Sequence, residues 1–373
     1  TNKISDATYT PSSNITVYAK WTPIAYTVAY NGNGATGGST GNSSHTYDVA
    51  KNLTANGYER KYTVTYNHNY AGSTNTSKTA TYTFNGWATV ASGAKVYNNS
   101  QSVTNLSSTN GATVTLYANW SSTSVSYTPT RTGYIFGGWY KEAACTNKIS
   151  DATYTPSSNI TVYAKWTPIN YTVTYNSNKP TTASGTITGS TGNSNHTYDS
   201  AKNLTTNGYT LIGWTFAGWN TKEDGTGTSY TNGQEVTNLS NTNGATVTLY
   251  AQWTANKYTV IYNSNKPATA SASVTGNTAD STHTYDIEIS LTKNGYSLTG
   301  WTFAGWNTAE NGTGTSYADE AKVENQTATN GGKITLYAQW TANKYTVTYN
   351  KNNATEFNGD TSKTVTYDTQ YGT

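Results

Sequence analysis

The sequence predicts a mainly β chain of small tandem α+β units, strand-rich with little helix, and three observations carry that reading. Among 373 residues there are 33 Tyr and 11 Trp but 5 Phe and no Met, in a background rich in Thr, Asn, Gly and Ser. Such residues favour strands and tight turns and supply large buriable area. Charged residues make up 11%; low charge would fit disorder only if aromatics were scarce, and here they are not. The third observation is internal repetition, the first thing to search for in such a chain.

A closing strand recurs as TVYAKW at 16–21 and 161–166, TLYANW at 115–120, and TLYAQW at 248–253 and 335–340. An opening strand recurs as YTVAYN from Tyr26, YTVTYN from Tyr62, Tyr171 and Tyr345, and YTVIYN from Tyr258. A middle motif reads YTFNGW at 82–87, YIFGGW at 134–139 and WTFAGW at 214–219 and 301–306. These divide the chain into the end of a unit (1–21), a unit with an extra strand pair (22–120), a shortened unit (121–166), full units at 167–253 and 254–340, and the start of another (341–373). The 22–120 unit has an opening strand too many and its neighbour one too few.

Within a unit, Tyr171, Val173 and Tyr175 alternate with Thr172, Thr174 and Asn176, the period of a half-buried strand. Leu249, Ala251 and Trp253 alternate with Thr248, Tyr250 and Gln252 in the same way. Phe216 and Trp219 are three apart and reach one face only if a bulge or bend intervenes, so bends are expected at Gly218, Gly305, Gly138 and Gly86. The candidate core is Trp21, Trp87, Trp120, Trp139, Trp166, Trp219, Trp253, Trp306 and Trp340 with Phe216 and Phe303. The best helix candidate is 199–204.

Residues 1–24 repeat 146–169 without a difference, and 345–373 match the opening half of a unit. The chain therefore reads as a slice of a longer repetitive protein. A sharper expectation is that the half-units at Thr1 and Thr373, and the missing opening strand of 121–166, are completed by strand exchange with a neighbouring copy.

YTVTYN, then a GYxxxGWTFAGWN segment and a closing TLYAQW, resemble the Listeria–Bacteroides repeat, the B-repeat type of internalins. The resemblance covers nearly the whole chain. It implies secreted or wall-attached bacterial proteins with units like a small β-grasp domain, serving in tandem as stalks or adhesive modules. The chain departs from that pattern in the doubled opening strand at Tyr62 and the short 121–166 unit.

Net charge is +3, with 22 basic and 19 acidic residues thinly spread, which argues against a nucleic-acid partner. No stretch approaches 18 uninterrupted apolar residues, so no membrane insertion of this segment is expected. A single Cys, Cys145, has no internal disulfide partner. HTYD recurs at 45–48, 196–199 and 283–286, with VTYD at 365–368. A His and an Asp three apart could bind metal or shuttle a proton; the competing reading is a strand end with Tyr in the core and Asp capping the next turn. The second is preferred because the last copy lacks His. The loops 220–230 and 307–317 carry oxygen groups and Gly but no acidic ladder, and read as turns rather than calcium loops. The Gly-rich run 31–38 lacks the continuation of a phosphate loop. No cofactor, metal site or catalytic activity is expected.

The closing-strand tyrosines Tyr18, Tyr117, Tyr163, Tyr250 and Tyr337 lie opposite their Trp and are candidate interface residues. The expected function is a structural stalk or filament-forming segment, extracellular or in the cell wall, whose partners are adjacent repeats or copies of itself. The alternative is a module recognising a glycan or host receptor through Tyr-rich faces.

Overall fold

The computed structural model describes every residue except Thr1, Asn2, Ser5, Asp6, Ala7, Ala354, Phe357, Tyr371, Gly372 and Thr373. The ends Thr1 and Thr373, expected as joints, thus lie outside the described residues. Strands hold 44% of the chain. Among the described residues there is no helix, and therefore none long and apolar enough to cross a membrane. The chain divides into two units, Thr1–Thr167 and Pro168–Thr373, each described by itself.

In Pro168–Thr373 the repeat closing at Trp253 has four main strands. The opening strand Asn170–Asn176 pairs antiparallel with Ser194–Thr197 and parallel with the closing strand Thr246–Ala255. The closing strand in turn pairs antiparallel with the middle strand Trp214–Asn220. The repeat closing at Trp340 does the same with Lys257–Asn263, Ser281–Thr284, Gly332–Ala342 and Trp301–Asn307. Period-two alternation sets the inward face: Tyr171, Val173 and Tyr175 meet Leu249, Ala251 and Trp219, all buried. A parallel pair needs a long crossover, and here the residues between hairpin and closing strand supply it without a helix.

The middle strand bends where the sequence requires. The register shifts between Phe216 and Gly218 and between Phe303 and Gly305, and φ is +141°, +135°, +104° and +143° at Gly218, Gly305, Gly138 and Gly86. The bulge turns Trp219 onto the face of Phe216, with ring centroids 4.9 Å apart. A Cβ on Gly218 would also lie 2.8 Å from the Tyr230 carbonyl oxygen.

The α component of the expected fold is corrected. Asp199 adopts φ +56°, which ends any right-handed helix, and Lys202–Asn203 pair instead with Glu235 and Val236.

The unit Thr1–Thr167 holds two interlaced repeats. The opening strand Ala25–Asn31 pairs parallel with the closing strand Thr113–Ser121, which pairs with the middle strand Thr83–Ala88. The extra opening strand, Lys61–Asn67, and its hairpin partner Thr76–Thr81 belong to the other sheet. There Val64 pairs with Ile160 and Tyr66 with Val162, so this hairpin completes the sheet that contains Tyr134–Tyr140 and Ile160–Pro168. This corrects two expectations. The extra strand pair is not an insertion within the 22–120 sheet, and the gap in 121–166 is filled from the same chain rather than by a neighbouring copy. The physical reason is pattern identity: YTVTYN at 62–67 presents the same face as every other opening strand.

Residues 15–21, identical to 160–166, form no strand. Trp21 and Tyr18 are both 88% exposed, so Trp21 is not a core residue. No strand pairs with this segment among the described residues, whereas 160–168 lies between two.

Candidate functional site

The HTYD motif separates into two faces. His45, His196 and His283 are buried, each ring stacked on the first Tyr of its opening strand, Tyr26, Tyr171 or Tyr258, at 5.3 to 5.5 Å. Each Nε2 lies 2.8 to 2.9 Å from a Ser hydroxyl, Ser43, Ser194 or Ser281. That hydroxyl meets the phenol of Tyr30, Tyr175 or Tyr262, which accepts the backbone N–H of Thr54, Thr205 or Thr292 at 2.7 Å. The network ties hairpin, opening strand and crossover together inside each core. Burial lowers the imidazole pKa below 6.5 in all three, with Lys51 and Lys202 adding to the effect on His45 and His196. No metal-ligand cluster of His, Cys, Asp or Glu forms among the described residues.

The Asp of the motif does something else. Asp286, at the hairpin end of the repeat closing at Trp340, accepts bonds from the preceding repeat: the Ser184 amide at 3.0 Å, the Ser184 hydroxyl at 2.5 Å and the Trp214 indole N–H at 2.8 Å. Asn325 of its own repeat donates at 2.9 Å. Tyr285 lies against Gly213, where a Cβ would sit 2.0 Å from the ring. The Asn256 amide donates to the Gly213 carbonyl at 2.8 Å, and Thr215 donates to the Asn256 side chain at 2.5 Å. The arrangement recurs one repeat later, where Asp368 accepts from Ser271 and Trp301, Tyr367 lies on Gly300, and Thr302 donates to Asn343. The site is therefore a joint between repeats. The preferred sequence reading needs correcting in two respects: His rather than Tyr is in the core, and Asp286 and Asp368 bond across to another repeat.

Trp87, Trp139, Trp219 and Trp306 are the largest buried side chains, each 4.7 to 4.8 Å from an opening-strand Tyr. Trp120, Trp166, Trp253 and Trp340 are half-buried beside Phe84, Phe136, Phe216 and Phe303, and their indoles donate to the carbonyls of Gly32, His68, Ser177 and Ser264. Tyr117, Tyr163, Tyr250 and Tyr337 are half-buried. Tyr250 lines an open cleft of about 930 Å³ with Trp214, Trp253, Asn178, Gln252 and Asp224.

Two features escaped the sequence reading. Asn33, Asn69, Asn178 and Asn265 hold positive φ and donate to the closing-strand carbonyl of Ala118, Ala164, Ala251 or Ala338 and to the facing loop. The signal was present as YNxN after every one of these opening strands. Asn220 and Asn307, both 1% exposed, organise the loops once compared with calcium loops. The Asn220 amide donates to Gly225 and Ser229, and its carbonyl accepts from Lys222 and Gly227. Cys145 sits at φ +53° where the later repeats have Gly225 and Gly312, and burial raises its thiol pKa.

Comparison with known proteins agrees with the repeated architecture. The model of the Listeria–Bacteroides repeat domain matches residues 109–165, 171–252 and 258–339. The chain belongs to this family. The first match begins in one of the two interlaced sheets and ends in the other, so along the sequence this family repeat is cut from its own opening strand at 61–67. Two proteins of Evansella cellulosilytica are similar. One, provisionally named a Gly-rich membrane protein, is 35% identical over 39% of this chain and 16% of its own length. The other, provisionally named a membrane protein, is 30% identical over 58% of this chain and 29% of its own length. The chain thus spans less than a third of either relative. Among solved structures the Bacillus anthracis TIE protein aligns over 86% of this chain and 51% of its own, at 11% identity and a TM-score of 0.23.

Proposed function

We propose that this chain is a structural stalk or filament-forming segment of a secreted or cell-surface bacterial repeat protein, made of tandem β-grasp-like units in a rod. The observation that carries the reading is the joint. The same Asp, Tyr, Ser and Trp side chains, with a Gly that leaves room for the Tyr ring, link consecutive repeats twice in Pro168–Thr373. A tandem binding module needs only a linker, whereas a spacer that must hold its reach gains from a bonded, repeated contact. The strand order with parallel opening and closing strands supports the β-grasp-like comparison. The membrane-protein names of the relatives support an envelope location, and the role proposed is not enzymatic. Small-angle scattering of the purified chain tests the rod. A maximum dimension near 120 Å or more supports it, on the basis of about 30 Å per unit; one near that of a single globule sinks it.

A second reading rests on the cleft beside Tyr250 and Trp253, whose aromatic and amide lining suits a glycan. A glycan array probed with the wild-type chain and with Tyr250→Ala tests this. Saturable binding lost in the variant would favour recognition, and no binding at all would leave the stalk.

A further inference from the structure

The two interlaced repeats in Thr1–Thr167 exchange chain at one place. Tyr58–Glu59 belongs to the sheets of the repeat closing at Trp120, and the next strand, Lys61–Asn67, belongs to the repeat closing at Trp166, with only Arg60 between. The chain returns through Thr76–Thr81 and enters the first repeat's middle strand at Thr83, with only Tyr82 between. It crosses a third time after Ser121, towards Val125. Two of these crossings have one residue of slack, about 3.6 Å of chain.

The crossing point is built like the joint of the later repeats. The Tyr82 amide donates to the Arg60 carbonyl at 2.8 Å, as the Tyr285 amide does to Asn256 at 2.9 Å. In place of the Asp and Trp contact, the Arg60 guanidinium lies 4.8 Å over the Tyr82 ring and 5.7 Å from that of Tyr62. The Tyr82 hydroxyl donates to the Pro156 carbonyl at 2.5 Å, and the Thr123 hydroxyl to the Thr81 carbonyl at 2.7 Å. An ordinary joint already brings the end of one repeat's loop, Gly213, against the start of the next repeat, Asn256. The two chain segments that an exchange of hairpins would have to rejoin are thus already hydrogen-bonded neighbours in an ordinary joint.

We propose that this exchange is a mechanical lock: residues 25–167 resist extension and unfold as one cooperative body, whereas later repeats yield singly. In every repeat the opening and closing strands are parallel neighbours, so tension shears each register at once, but only in residues 25–167 does the chain pass back and forth between two such sheets. Opening the first repeat's middle strand pulls directly on Thr76–Thr81, and losing that hairpin removes one of the two strand partners of Ile160–Pro168, the parallel one. The inference does not depend on where the protein resides, so it stands or falls apart from the stalk reading.

Single-molecule stretching of the whole chain between terminal handles tests it. Residues 168–254 and 255–341 are expected to release in separate steps of about 310 Å of contour each, and residues 25–167 in one step of about 510 Å, at about 3.6 Å per residue. Two steps of about 250 Å from the first unit would overturn the proposal. A relinked variant, with residues 60–82 moved to follow Ser121, provides the control. It keeps every strand but removes the exchange, and should split the 510 Å step in two. A relinked chain that still releases in one step would also overturn the lock, since cooperativity would then come from packing alone.

Discussion

Trp214 donates its indole N–H to the carboxylate of Asp286, 72 residues later, at 2.8 Å. Ser184 supplies two further donors to the same carboxylate, so one side chain holds two elements of the preceding repeat. Asp48 occupies the corresponding place in the repeat closing at Trp120, is exposed, and its Oδ1 accepts from Asn105 at 2.8 Å. Replacing Asp286 by Ala should therefore cost about 1 to 2 kcal/mol, because the half-buried Trp214 and Asn325 and the exposed Ser184 lose a charged acceptor. Asp48→Ala should cost about 1 kcal/mol or less. Urea titration of each variant checks the difference.

Gly213 is expected to be the most sensitive glycine of the joint. It holds φ +75°, and a Cβ there would overlap Tyr285 at 2.0 Å. Gly111 has nearly the same φ, +73°, with open space around it. Gly111→Ala should cost only the backbone strain, about 1 to 2 kcal/mol, while Gly213→Ala adds the clash with Tyr285 and should cost more. Differential calorimetry would show a larger downward shift of the melting temperature for Gly213→Ala than for Gly111→Ala.

Cys145 occupies a left-handed position that Gly225 and Gly312 fill elsewhere. Its thiol makes long bonds with Ala143, Ala164 and Asn69, at 3.5 to 3.6 Å. Relief of strain should outweigh their loss, so Cys145→Gly is expected to raise stability by up to about 1 kcal/mol. With the thiol pKa raised by burial, alkylation of the native chain at pH 7.5 should be slower than that of the unfolded chain.

Stability should fall in mild acid. His45, His196 and His283 titrate below 6.5 in the folded chain because burial disfavours the cation. As the pH drops through 6.5 the unfolded state takes up protons that the folded state refuses, which favours unfolding until the folded-state value is passed. Asp286 acts lower. Burial pushes its pKa up, but the bonds from Ser184, Trp214 and Asn325 outweigh this and leave it below 3.8, so its contribution persists above that value and is lost as the pH falls further. Urea midpoints at pH 7.5 and 5.5 should differ in the wild type. His196→Gln and His283→Gln should reduce the difference; an unchanged difference would assign it to other groups.

The order of opening, middle and closing strands, the inward faces and the bends at four positive-φ glycines were legible along the chain, because each follows from local spacing: two residues for a strand face, three for Phe216 and Trp219. The joint was only half legible. HTYD marked the position, yet no local rule says that Asp286 meets Ser184 from 102 residues before it. Pairing was not legible at all for the doubled strand. Tyr26 and Tyr62 begin segments of the same pattern, and either could lie beside either closing strand. Only the tertiary arrangement puts Ala25–Asn31 against Thr113–Ser121 and Lys61–Asn67 against Ile160–Pro168.

Residues 1–24 and 146–169 show the division most directly, because their sequences are identical. Val162 is 1% exposed and Trp166 donates its indole N–H to His68, while Val17 is 62% and Trp21 88% exposed. The sequence by itself determined that this segment is a closing strand in waiting, with Leu- or Val-, Ala- and Trp-bearing faces at period two. A strand hydrogen-bonds to its neighbours rather than to itself, so whether it forms was decided by the presence of Lys61–Asn67 and Tyr134–Tyr140 on either side.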